Sequence, residues 1–203
     1  FEPGDGFPRL TVLDTTDPDA ITRIGAACDP ERTVVVVASK SGSTIETRSH
    51  LEHFWARAPI GRQFIAITDP GSALESLAAE RGFRAVLHGD PEIGGRFSAL
   101  SAFGMVPAAL MGLDAPELLD TATEAFDLLG PDTPVEEHLG CQLGALMAVA
   151  ATAGRDKLTF HLDERIDALG GWLEQLIAES TGKHGTGILP VLGEGPDAPD
   201  PDG

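Results

Sequence analysis

Four consecutive valines, Val34 to Val37, lie between Thr33 and Ala38 and constrain this chain more than any other feature. A β-branched run with no polar alternation reads as a strand covered on both faces, the situation of a parallel sheet flanked by helices. Residues 10–13, 64–68, 85–87 and 157–162 supply further short apolar runs of strand type. Helical patterns separate them. Asp17-Pro18 offers an N-cap followed by proline at the first helical position. Leu51, Phe54, Trp55 and Ala58 fall on one helical face. Asp69-Pro70-Gly71-Ser72 reads as a turn, after which residues 73–81 form a helix stopped by Gly82. Residues 98–111, 117–129, 135–153 and 166–179 complete the expected helices. Strands alternating with helices predict a three-layer α/β sandwich on a mostly parallel sheet, with ligands at the carboxyl ends of its strands. The punctuation Gly130-Pro131-Asp132-Thr133-Pro134 divides the chain into a first domain, 1–130, and the start of a second, 131–192, left unfinished. An acidic Pro/Gly-rich tail, 193–203, follows.

Charge and cysteine usage narrow the function. The formal net charge is −18, from 32 acidic and 14 basic residues. A nucleic-acid partner calls for a basic patch and is not expected. A phosphate ester could bind only where local N–H groups and a few cations outweigh the global field. No apolar run approaches the roughly 20 residues of a membrane helix, and no leader sequence is evident. Two distant cysteines, Cys28 and Cys141, form no disulfide framework and suggest a reducing cytosol. His50 and His53 have the spacing of one helix face but no third ligand, so no metal is expected.

Three segments carry candidate chemistry. Ser39-Lys40-Ser41-Gly42-Ser43-Thr44 follows the valine strand and precedes a helix. N–H groups at a helix start attract anions, and four hydroxyls, one ammonium and a turn-permitting glycine add to them. The bland alternative is a Ser/Thr-rich N-cap. Neither a Walker loop nor a strand-borne GxGxxG is present, which argues against a nucleotide site. In Gly94-Gly95-Arg96-Phe97-Ser98, paired glycines let backbone approach a ligand, Arg96 is a permanent cation and Ser98 can cap the next helix. A Gly-turn bearing a surface arginine is the competing reading. In residues 172–183, Gln175 and Glu179 are four apart on one helix face, and Glu179 stands just before the stop at Gly182. The helix dipole disfavours a carboxylate there, a setting suited to a general base. A solvated surface glutamate is the alternative.

Residues 38–47, the run 93–112 with Pro107 inside it, and 172–183 together resemble the glucose-6-phosphate isomerases of the sugar isomerase (SIS) family, in the bacterial form also found fused to transaldolase. The resemblance implies flavodoxin-like SIS domains, an aldose–ketose isomerisation through a cis-enediol, and no cofactor. By the same resemblance Ser39, Lys40 (through its backbone), Ser41 and Thr44 hold the sugar phosphate. Arg96 stabilises the enediol, Glu179 moves the proton between C2 and C1, and Gln175 contacts substrate. It further implies a cytoplasmic homodimer whose partner subunit completes the site. A Gly-Ser loop expected upstream and a histidine and lysine expected downstream lie beyond this chain, so the isolated piece is expected to be inactive. A non-catalytic phosphosugar-binding module, or an isomerase of another phosphosugar, are the alternative readings.

Overall fold

The computed structural model describes residues 4–195, so residues 196–203 of the expected tail lie outside the described residues. The chain forms two compact units, Phe1–Leu119 and Asp120–Gly203.

In the first unit, helix α1 (Pro18–Ala27) begins as its sequence requires: Asp17 Oδ1 accepts from the Ala20 N–H at 2.7 Å, with proline in the first turn. Strands β1 (Val35–Ala38), β2 (Phe64–Thr68) and β3 (Ala85–His88) pair in parallel in the order β1-β2-β3. The register sets Val35 against Phe64, Val37 against Ala66, and Ala66 against Val86. These residues share one face of the sheet, because side chains alternate along a strand. Helices α2 (Ile45–Arg57) and α3 (Ala73–Glu80) cover that face, and Leu51, Leu74 and Ala78 join Val37, Phe64 and Ala66 in the core. Central strand β2 is the most enclosed, with Ala66, Ile67 and Thr68 all fully buried. An aromatic group completes the core: Phe64 lies 5.2 Å from both Phe83 and Trp55, and the Arg81 guanidinium sits over Trp55.

The valine run departs from expectation. Val34 precedes the strand and is 43% exposed, and only Val37 is buried. Strand β1 has a single neighbour, so in the described residues it is an edge of the sheet. Residues 10–13 form no strand: Val12 is 67% exposed, and the chain just after them is fastened to α2 by His50 Nε2, 2.9 Å from the Thr15 carbonyl. The helix expected over 98–111 is two elements, a 3-10 helix Gly95–Leu100 and helix α4 (Ala102–Leu110). Ser101 stands between them in an extended conformation. Its hydroxyl donates to the Ser98 carbonyl at 2.7 Å and accepts from the Phe103 N–H, so Ser101 rather than Ser98 is the cap.

Helix α5 (Ala115–Leu128) follows. In the second unit, helix α6 (Leu139–Thr152) starts later than expected, because residues 135–138 form a turn and the His138 ring accepts from the Cys141 N–H. Strands β4 (Lys157–Thr159) and β5 (Leu189–Val191) pair in parallel around helix α7 (Leu169–Thr181), which packs on β5. Strand β4 is shorter than the expected 157–162, and β5 was not expected at all. Its central residue is Pro190, and proline is tolerated in this short two-stranded pair, where every strand is an edge. Among the described residues no helix is long and apolar enough to cross a membrane.

Candidate functional site

The site of the first unit is built at the carboxyl edge of the three-stranded sheet, where the chain leaves each parallel strand. Residues 39–44 leave β1 and run into α2. Gly42 makes the turn possible twice over. Its φ of +66° is a left-handed conformation, and a Cβ there would lie 2.5 Å from the backbone nitrogen of Leu74. The loop therefore nests against the first turn of α3.

Side chains of the loop divide by exposure. Ser39 is buried: its hydroxyl lies 3.0 Å from Thr44 Oγ1 and accepts from the Gly42 N–H at 3.2 Å. Ser41, Ser43 and Thr44 are exposed, with the Ser41 and Ser43 hydroxyls 2.8 Å apart and Ser43 N–H donating to Ser41 Oγ. The loop thus closes on itself through hydroxyl-mediated contacts and leaves the side chains of Ser41, Ser43 and Thr44 exposed to solvent. Such a surface can hold an anion by hydrogen bonds without a full positive charge.

Lys40 is placed differently from its neighbours. Its ammonium donates to Asp69 Oδ1 at 2.9 Å and to the Asp90 carbonyl at 2.8 Å, and lies 5.7 Å from the centre of the Phe103 ring. It therefore joins the exits of all three strands. The loop of residues 90–98 leaves β3, and a Cβ on Gly95 would come within 4.0 Å of Lys40 Cδ. The structure thus brings the loop carrying Arg96 beside the loop of residues 39–44. Arg96 is half-buried, and its guanidinium stacks over Phe97, 4.7 Å from the ring centre. Ser98 is buried and donates to the Gly95 carbonyl at 2.6 Å, tightening the turn behind Arg96.

Beneath the loop stand two residues that sequence reasoning passed over as the end of a strand and part of a turn. Thr68 is fully buried, and its hydroxyl donates to the Ser39 carbonyl at 2.7 Å, also lies 3.1 Å from the Lys40 carbonyl, and meets Ser72 Oγ at 2.7 Å. Asp69 returns its N–H to the Lys40 carbonyl at 3.0 Å and its carboxylate to the Lys40 ammonium. Their position at the end of a central parallel strand was the available signal. Ser72 caps α3 through the Glu75 N–H, and the Glu75 carboxylate accepts from the Gly71 N–H and meets His88 on β3. That Gly71 hydrogen bond, and then His88, holds the Glu75 carboxyl below its ordinary value.

In the second unit, Gln175 and Glu179 lie in α7 and face the same way, with Gln175 Nε2 3.5 Å from Glu179 Oε2; both are exposed. The helix ends as its sequence predicts, at Gly182, whose N–H returns to the Ala178 carbonyl at 2.8 Å. Thr181 fixes this end: its hydroxyl donates to the Ile177 carbonyl and accepts from the Ile188 N–H at 2.9 Å, linking α7 to the segment entering β5. Between them Lys183 and Thr186 exchange two backbone hydrogen bonds across a tight turn at His184 (φ 53°) and Gly185 (φ 79°).

Known proteins share this sequence pattern and architecture. The family model of phosphoglucose isomerase matches residues 3–187. The glucose-6-phosphate isomerase of Rubrobacter xylanophilus is 34% identical over 202 residues, covering 93% of this chain and 45% of the relative. Among solved structures, a hypothetical protein from Thermus thermophilus superposes with a TM-score of 0.79 at 33% identity, over 89% of this chain and 46% of that one. A glucose-6-phosphate isomerase from Chlamydia trachomatis gives a TM-score of 0.74 at 26% identity, over 88% of this chain and 38% of that one. The chain therefore spans less than half the length of these proteins.

Proposed function

The chain belongs to the phosphoglucose isomerase family, and on that premise we propose that it is a piece of an enzyme interconverting glucose 6-phosphate and fructose 6-phosphate. The observation that carries the proposal is the hydroxyl-lined loop 39–44 at the sheet edge, tied through Lys40 to the loop bearing Arg96. Ser39, Ser41, Thr44 and the Lys40 backbone take the phosphoryl group. Arg96, a cation that cannot lose its charge, stabilises the oxyanion of a cis-enediol. Glu179 removes the proton from one carbon and returns it to the neighbouring one, and Gln175 contacts substrate. No cofactor is called for, because the proton leaves and returns within one molecule. Residues 1–130 act as a first SIS domain and 131–192 as the beginning of a second. The complete enzyme is a homodimer of the cytoplasm, serving glycolysis and gluconeogenesis.

Support comes from different levels of the molecule. Family membership supports the reaction, and the hydroxyl-lined loop at a helix start supports the reading of a local anion site in a chain of net charge −18. Replacing Glu179 by Gln in the complete enzyme tests the assignment. Turnover should fall about 100-fold or more while KM stays close to the parent value, since a general base contributes to the transition state and not to binding. Turnover near the parent level would refute the role of Glu179.

A further inference from the structure

The ammonium nearest the proposed phosphate site is already committed elsewhere. Lys40 has three N–H donors; one meets the Asp69 carboxylate at 2.9 Å, one meets the Asp90 carbonyl at 2.8 Å, and the ammonium is flanked by the Phe103 ring. The Lys40 and Asp69 side chains are only 22% and 18% exposed, and Asp69 also engages the Lys40 backbone through its N–H. Gly89 leaves the space for this arrangement: a Cβ there would lie 2.8 Å from Asp69 Oδ1 and 2.5 Å from the Phe103 ring. A charge-assisted hydrogen bond of this geometry is roughly twice as strong as a neutral one. Four backbone segments therefore converge on one side chain: the exits of β1, β2 and β3, and α4.

We propose that Asp69 is a positioning residue for the phosphate loop, holding Lys40 as a strut across the sheet edge so that the loop's backbone and hydroxyl groups, and not the ammonium, meet the anion. This inference rests on the reading of residues 39–44 as a phosphate site. Thr68 supports the same loop from below by donating to the Ser39 carbonyl. With its charge balanced by Asp69, Lys40 adds little net attraction for a dianion, and affinity depends on how well the loop is held in place.

The test uses the 203-residue chain and two readouts. Amide hydrogen exchange without ligand reports the loop itself, and titration with fructose 6-phosphate reports its use. Asp69→Ala should speed exchange at Ser39, Gly42 and Ser43 and weaken fructose 6-phosphate binding, each by about tenfold, the effect of losing one charge-assisted hydrogen bond. Asp69→Asn retains an oxygen acceptor for the ammonium and should restore most of both. Lys40→Met should match Asp69→Ala, and the double variant should be no worse than either alone, because the pair acts as one unit. Unchanged loop exchange in Asp69→Ala would overturn the inference. So would binding as tight as the parent in Asp69→Ala together with binding lost in Lys40→Met, which would make the ammonium a direct ligand. If the parent chain bound no fructose 6-phosphate while exchange responded as described, the strut would stand and the phosphate reading would fall.

Discussion

At Gly42 a single missing methyl group serves two purposes. The left-handed φ turns the chain at the sheet edge, and the absent Cβ lets α3 approach to contact distance. Gly42→Ala should therefore lower the unfolding free energy by about 2 kcal/mol or more, combining backbone strain with a clash against Leu74. Urea denaturation measures this; a loss under a few tenths of a kcal/mol would mean the loop is not packed as described. Glu75 carries a prediction with a sign. Its carboxyl is held low by the Gly71 N–H and then by His88. A depressed carboxylate contributes stability that is present above its unfolded pKa, about 4.3 for Glu, and is lost as pH falls through the folded value. Glu75→Gln should melt below the parent at pH 7 and converge with it near pH 2. Parallel melting curves at the two pH values would contradict this.

The elements that were legible in the sequence are those whose local signals agreed. Asp17-Pro18 started α1, the turn 69–72 led into α3 and Gly82 ended it, and the apolar face of α2 reached the core through Leu51, Phe54 and Trp55. Strand β2 coincided with its expected limits. What failed had a tertiary cause. Residues 10–13 look like a strand but pair with no strand among the described residues, and β5 is too short and too proline-bearing to announce itself. The break at Ser101 follows from hydroxyl contacts to Ser98 and Phe103 that no periodicity encodes. At the site, the loop and its glycine were readable as an anion-binding pattern. The support from Thr68 and Asp69 was not, because it crosses between strands 28 or 29 residues apart in sequence. Strand β2 also carries the main packing load of its unit. Phe64 is almost fully buried between Trp55 and Phe83, so Phe64→Ala should cost about 3–5 kcal/mol by cavity formation and lost transfer energy. Thermal unfolding of the first unit reports the loss; a small change in its midpoint would place Phe64 outside the core.

At the scale of the molecule, the contrast lies between the enclosed sheet of the first unit and the uncovered helices of the second. On α6, Leu139, Leu143, Leu146 and Val149 follow one another at helical spacing and all are more than half exposed. A contiguous apolar stripe of this size is uncommon on a self-sufficient monomer. The chain also spans under half the length of the relatives it matches. The stripe should bind a solvatochromic dye, and Leu143→Lys with Leu146→Lys should reduce that signal without lowering the melting temperature. Undiminished dye fluorescence would place the exposed surface elsewhere. The central claim, that an acidic chain grips a sugar phosphate through a neutral loop, is tested most directly by following backbone amide resonances during titration with fructose 6-phosphate. The predicted result is saturable shifts at residues 39–44, extending to the 94–98 loop. Saturating ester that leaves 39–44 unmoved would contradict it.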